Sequence, residues 1–342
     1  ASPYNRYATH DTIRHFAHGI GDTNPLWLDE EYARTTRWGG IIAPPGFLLS
    51  CGMPRSTGLP GIHAMHTGHD WEFFAPVRLG QRITCRVALH ALTEKQGRFA
   101  GRQFHEVDRA TYLTQSGEVV ARLYSHCMRT ERDTAREKGK YAGIVPKQWT
   151  EEEIAAVDEE YAREEIRGNR PRYWEDVRAG EELTPVIKGP LTVTDFIAWE
   201  MGWGSIYVRA HGIGVAYRKK HPGAYLRDRL GIPDVPERVH WDDEYARAVG
   251  APGAYDYGPQ RSSWLMHLMT NWIGDDGWLK RFSCQIRRFV IIGDLVRVKG
   301  KVSRKYVEDG EHLVECEIWA ENQRGEVVAP GVATVVLPSR GA

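Results

Sequence analysis

The stretch Gly19-Ile20-Gly21-Asp22-Thr23-Asn24-Pro25-Leu26-Trp27-Leu28-Asp29-Glu30-Glu31-Tyr32-Ala33-Arg34 decides the fold. It reads as a glycine turn, an acid, an Asn-Pro corner and a short amphipathic helix ending near Trp38-Gly39-Gly40. The passage Val239-His240-Trp241-Asp242-Asp243-Glu244-Tyr245-Ala246-Arg247 repeats it 213 residues later. Asp29, Glu31, Tyr32, Ala33, Arg34 and Gly40 recur as Asp242, Glu244, Tyr245, Ala246, Arg247 and Gly253. At the same offset of 213, Val77-Arg78-Leu79-Gly80 falls on Val290-Ile291-Ile292-Gly293, and Gly97 on Gly310. The segment from Gln115 to Ala121 matches that from Gln323 to Ala329 at an offset of 208. An offset held over helix-like and strand-like segments alike marks an internal duplication.

The pattern Gly-Asp-x-Asn-Pro-Leu, an aromatic residue or His, then Asp-x-x-Tyr-Ala and a glycine turn into an apolar helix, resembles the MaoC-like (R)-specific enoyl-CoA hydratases and acyl dehydratases. The resemblance covers nearly the whole chain. It implies an α+β protein, a double (tandem) hotdog in which each half is a long central helix wrapped by an antiparallel sheet. It also implies reversible addition of water to a 2-enoyl thioester of CoA or an acyl-carrier protein. That reaction needs a base for the water proton, an acid for the α-carbon and donors to the thioester oxygen.

In the family that the motif resembles, an Asp and a His five residues on share the acid–base work. Here the first repeat keeps Asp22 and Asn24 but has Trp27 where the His would stand. The second keeps His240 but has Val235 where the Asp would stand. Asp22 and His240 are the expected catalytic pair, one from each half; failing that, His240 needs a local acid from Asp234, Glu237 or Asp256. Backbone amides at a central helix's N-terminus, where the dipole is positive, are the expected oxyanion donors, at Gly46 and Gly258. The family's His-Gly is Tyr257-Gly258 here, with Arg261 nearby. Asn24, Gly46, Tyr257, Gly258 and Arg261 are therefore the expected substrate contacts.

Composition narrows the classes. With 45 basic and 45 acidic residues, the chain of 342 has no net field to recruit nucleic acid or an anionic membrane. No apolar run is long enough to span a bilayer and no signal-peptide pattern opens the sequence, so a cytoplasmic protein is expected; a homodimer or larger homo-oligomer is expected as well. Cys51, Cys85, Cys127, Cys284 and Cys316 are scattered and odd in number, which argues for reduced thiols. Twelve tryptophans point to an aromatic core or a pocket for an apolar ligand.

In chain order, a capped helix is expected over residues 9–18, and Pro44-Pro45-Gly46 leads into Phe47-Leu48-Leu49-Ser50-Cys51 as the first central helix. Strands follow around Trp71–Phe73, Arg82–Val87, Arg98–Val107 and Val119–Met128. Helix first and strands after favours an antiparallel α+β fold. Thr150 with Glu153 forms a capping box for a charged helix in the linker. The expected division is a first domain at 1–130, a linker at 131–171, and a second domain at 172–342. The offset of 184 between Asp11 and Asp195, against 213 beyond, places an insertion of 29 residues at roughly 203–233, expected to cover the second pocket. Trp264, Leu265, Leu268, Met269, Trp272 and Ile273 mark the second central helix.

Other candidates are weaker. His63, His66 and His69 are spaced by three beside Asp70, but strand geometry should send them to opposite faces, so no metal is expected. Gly202-Trp203-Gly204 lacks the third glycine of a dinucleotide loop, so no cofactor is expected. Arg287-Arg288 could meet CoA phosphates, though surface strand arginines are commoner. Two rival readings stand beside the hydratase: a hotdog thioesterase, and a non-catalytic acyl-thioester binding subunit.

Overall fold

The computed structural model describes residues 4–54, 62–97, 101–131, 144–204 and 208–341. The Asn-Pro corner folds as its residue types dictate. Helix α1, His10–Gly19, is capped by Thr9, which exchanges hydrogen bonds with Thr12. Past its C-cap Ile20 the chain turns at Gly21, whose φ of +67° only glycine adopts freely, and this turn lets the Asp22 amide donate to the Ala17 carbonyl at 2.9 Å. The Asn24 side chain then caps α2, Pro25–Leu28, and Asp29 caps α3, Glu30–Thr35.

The first half continues through a 3₁₀ turn, Pro45–Phe47, into α4, Leu48–Cys51. Four strands follow: β1 (Ile62–Phe73), β2 (Thr84–Gly97), β3 (Gly101–Leu113) and β4 (Val119–Glu131). Residues 98–100, where the third strand is expected to start, lie outside the described residues, as do 132–143 of the linker and 205–207 of the insertion. The capping box at Thr150 starts α5, Glu151–Tyr161. The second half has β5 (Val186–Lys188), α6 (Val193–Trp203), α7 (His211–Lys220), the small hairpin β6–β7 (Leu226–Arg227, Pro233–Asp234), α8 (Asp243–Ala248) and α9 (Gly258–Ile273). Strands β8 (Trp278–Gln285), β9 (Val296–Glu308), β10 (Glu311–Asn322) and β11 (Val327–Val336) close the chain.

Nine strands form one antiparallel sheet in the order β2-β3-β4-β1-β8-β11-β10-β9-β5. The order reads outward from the β1–β8 seam in the same sense on both sides, as the duplicated sequence requires. At the seam Gly68 pairs with Gln285 and Glu72 with Arg281. Ser283 also donates to Asp70 at 2.6 Å across it.

The sheet wraps α9, and every residue of this helix after Gly258 is buried. The first half departs from its twin here: its central helix is only the seven residues Pro45–Cys51, broken off at Gly52. The opening helices of the two halves pack on each other, with Gly19 against Gly202 and Phe16 edge-on to Trp199 at 5.8 Å. A Cβ on Gly202 would stand 2.5 Å from the His15 carbonyl, so glycine sets this close approach. Trp71, Trp199, Trp203 and Trp264 are fully buried. Each contributes on the order of 5 kcal/mol from buried area before entropy is subtracted. No helix among the described residues is long and apolar enough to cross a membrane.

Strand β1 carries one correction to the sequence reading. Its register slips between His66 and Gly68, a β-bulge that inserts a residue and returns the next side chains to the same face. His66 and His69 therefore meet, ring centroids 4.3 Å apart, instead of pointing to opposite faces. Asp70 turns away from them to His126, at 2.8 Å.

Candidate active site

The corner that follows α1 puts Asp22 in the interior, 1% exposed. One carboxylate oxygen, Oδ1, accepts the Asn24 amide at 2.9 Å and stands 3.5 Å from Nε2 of His267. The other, Oδ2, is buried with no hydrogen-bond partner. Burial raises the Asp22 carboxyl to about pKa 6; the Asn24 amide, the nearby Lys188 cation and the Trp27 indole pull the other way. A carboxyl poised near neutral pH with a free, shielded oxygen is suited to giving and taking protons.

His267 comes from the middle of α9 in the other half. Burial holds its imidazole well below the ordinary range, so it is neutral. Behind it stands Lys188, at the end of β5, 7% exposed, whose ammonium donates to Ile20 O at 2.7 Å and to His267 Nδ1 at 3.0 Å. Sequence reading missed both residues. The available signals were a lone His inside the apolar helix pattern from Trp264 to Ile273, and a lone Lys after Val186-Ile187.

Asn24 and Trp27 line a narrow cleft with a cavity volume of about 50 Å³. Its walls come from both halves: Leu26, Trp38, Ile42, Leu48 and Phe73 from the first, Ile273 and Trp278 from the second. Asn24, Thr270 and Asp275 supply polar atoms. The halves are pinned together at its rim, where Tyr32 donates to Asp275 Oδ2 at 2.6 Å and Trp38 to the Asp275 carbonyl at 2.8 Å. Pro44 and Pro45 also line it, at the start of the shortened first helix. The tryptophans thus serve both expected roles, core and cleft.

His240 lies elsewhere. Its ring stacks on Tyr257 at 3.6 Å and contacts the Tyr255 carbonyl through Nδ1 at 2.6 Å, and burial lowers it to about pKa 4. Tyr257 caps the N-terminus of α9, whereas His267 is ten residues further on, about 15 Å along the axis at 1.5 Å per residue. The expected Asp22–His240 pair therefore does not meet; Asp22 finds its imidazole at His267. Around His240 the carboxyls are Glu200, which accepts from Tyr257, and Glu237, both raised to about pKa 7 by burial. Asp256, another expected acid, is instead bound to Arg261.

The remaining expected contacts divide. Asn24 lines the cleft. Arg261 does not face a ligand: it is 2% exposed, paired with Asp256 at 2.7 Å, and donates to the carbonyls of Arg288 and Val328. A Cβ on Gly46 would meet Ser263 Oγ at 2.9 Å, and one on Gly258 would meet His66 Nδ1 at 2.3 Å, so both glycines serve close packing. Arg288 pairs with Glu326, and Arg287 with Gln285. The insertion is tied beside His240, where Arg238 donates to the Arg227 carbonyl at 3.1 Å, and its described residues supply no wall of the cleft.

Residues 4–123 match the family described as the FAS1-like dehydratase region. A UPF0336 protein of Parafrankia sp. is 33% identical over 132 residues, 36% of this chain and 82% of that protein. The chain belongs to the UPF0336 family. An (R)-specific enoyl-CoA hydratase of Rhodospirillum rubrum is 36% identical to this family member over 78 residues, 22% of the chain and 53% of the hydratase. A solved MaoC-like dehydratase superposes with a TM-score of 0.66 at 17% identity, covering 97% of this chain and 95% of that one. A double-hotdog protein of Mycobacterium tuberculosis gives 0.58 at 11% identity, with 97% and 93% covered. The fold of this dehydratase relative is accordingly a double hotdog, as the two mirrored strand sets around α9 already indicate.

Proposed function

We propose that the chain hydrates and dehydrates acyl thioesters, adding water reversibly to a 2-enoyl-CoA or 2-enoyl carrier-protein substrate. The observation that carries this reading is the buried Oδ2 of Asp22, with the Trp27 indole near the carboxylate, behind a cleft lined by Asn24 and Trp27. In hydration the carboxylate takes a proton from water as the water oxygen bonds to the β-carbon. The electron pair moves through the α-carbon to the thioester oxygen. The carboxylic acid so formed returns a proton to the α-carbon, so atoms and charge balance and the residue is restored. The apolar walls hold the acyl group. The Asn24 amide, with His267 beside it, keeps Oδ1 occupied and leaves Oδ2 as the reacting atom. The same reading keeps the division into domains at 1–130 and 172–342, with a linker between them and an insertion at about 203–233.

A binding subunit without turnover is the second reading. It is favoured by Trp27, which fills the family's His position and shields Asp22 from the cleft. Incubation with crotonyl-CoA and longer enoyl-CoA esters separates the two. Loss of the enoyl absorbance without release of free thiol supports the hydratase. Thiol release supports a thioesterase, and saturable binding with neither change supports the binding subunit.

A further inference from the structure

Resting on the assignment of Asp22 as the acid–base group, we propose that Lys188 is a positioning residue. Its ammonium, anchored on the Ile20 carbonyl, fixes the tautomer of His267 so that the imidazole presents Nε2–H to Asp22. The geometry forms a continuous chain: Lys188 Nζ to Ile20 O at 2.7 Å, Nζ to His267 Nδ1 at 3.0 Å, and His267 Nε2 to Asp22 Oδ1 at 3.5 Å.

An ammonium has three donors and no acceptor, so its contact at Nδ1 requires a lone pair on that nitrogen. A neutral imidazole has one proton, which then sits on Nε2 and faces the carboxylate. Without Lys188 the ring could carry its proton on Nδ1 and turn a lone pair towards Asp22. Two acceptors would then face each other in a buried site, leaving the Asn24 amide as the donor to Oδ1. Lys188 thus sets which ring nitrogen of His267 faces Asp22, beside the Asn24 amide that already holds Oδ1.

The surroundings show why the cation is tolerated in the interior. Glu164, Asp22 and Asp195 all raise its proton affinity, against a larger opposing effect of burial that leaves it at about pKa 8. The Ile20 carbonyl belongs to the turn that opens the Asp22 motif, so one side chain grips both the motif and the histidine. Gly21 completes the cradle: a Cβ there would stand 3.4 Å from the ammonium in a backbone conformation with φ of +67°. The glycine before Asp22 therefore has a second task beyond turning the chain.

The test uses the full chain with ¹⁵N-labelled histidine. His267 is assigned by comparison with His267→Asn, and tautomers are read from the ring nitrogen shifts. The wild type should show Nε2 protonated and Nδ1 bare. Lys188→Met should move His267 to the other tautomer or a mixture. Lys188→Gln, which keeps an N–H donor without the charge, should restore the wild-type pattern. In kinetics with an accepted thioester, Lys188→Met should lower kcat by about tenfold or more with little change in KM. It should cost nothing further in the His267→Asn background.

A wild-type Nδ1–H tautomer or imidazolium overturns the proposal, as does an unchanged tautomer in Lys188→Met. If Lys188→Met fails to fold by circular dichroism, the wild-type and Lys188→Gln spectra decide. If the wild type turns over no thioester, the hydratase reading fails, while the spectra still judge the role of Lys188.

Discussion

Replacing Asp22 by Asn should stabilise the protein while abolishing its chemistry, and the size of the gain should depend on pH in a calculable way. The carboxyl is 1% exposed and raised from its ordinary 3.8 to about 6 by burial. At about 1.36 kcal/mol per pH unit, that rise corresponds to about 3 kcal/mol of cost for keeping the residue ionised in the fold. The folded protein holds this proton more tightly than the unfolded chain. The stability linked to it is therefore fully present below pH 3.8 and lost as pH rises through 6. Asparagine bears no charge, keeps an oxygen for the Asn24 amide, and escapes the penalty. The variant's advantage in urea unfolding should thus grow from under about 1 kcal/mol near pH 4 to about 3 kcal/mol at pH 7. In the enoyl-thioester assay it should lose on the order of 10²–10⁴ in rate. A stability gap that is flat with pH would refute the buried-charge reasoning. Full activity in Asp22→Asn would remove the residue from the chemistry.

His240→Gln should leave thioester turnover intact, since His240 lies at the far end of α9 from the cleft; a rate as low as that of Asp22→Asn would reinstate it. Arg261→Met should lower the urea midpoint by about 3–5 kcal/mol of stability, because it strands Asp256 as a buried unpaired charge; an unchanged midpoint would show that Asp256 finds another partner. Ile42→Trp should fill the cleft and raise KM for long-chain enoyl thioesters more than for short ones, measured across a chain-length series.

What the sequence revealed and what it hid follow the range of the interactions. The corner from Gly21 to Pro25 is legible because every bond that shapes it is local: the Asn24 cap on Leu26 and the Asp22 carboxylate on the Asn24 amide span two residues each. The duplication is legible because strands pair in the same order on both sides of the seam. The partner of Asp22 was hidden because His267 lies 245 positions away in sequence and comes from the opposite half. Complementary decay of the two motifs suggested a pairing of Asp22 with His240 across the halves, whereas the imidazole that stands beside Asp22 is that of His267. His66 and His69 misled for another reason, since a bulge of one residue reverses which face a strand position occupies and leaves no mark in composition. Arg261 looked like a ligand contact because a charged residue at a helix start usually reaches water; here Asp256 was buried with it.

The joining of two halves in one chain has a consequence for how such a protein can change. When two identical subunits build a symmetric pair, every substitution is made twice, and a helix shortened to widen one cleft is shortened in the other as well. Here α9 spans sixteen residues while its counterpart stops after seven. The intact helix supplies part of the cleft wall through Thr270 and Ile273 and sets its His267 imidazole beside the other half's Asp22. Each copy of a position has become a separate letter that can be rewritten alone. A substitution that a homodimer would carry in both subunits, such as Trp27 in place of a histidine, stands here in one half alone.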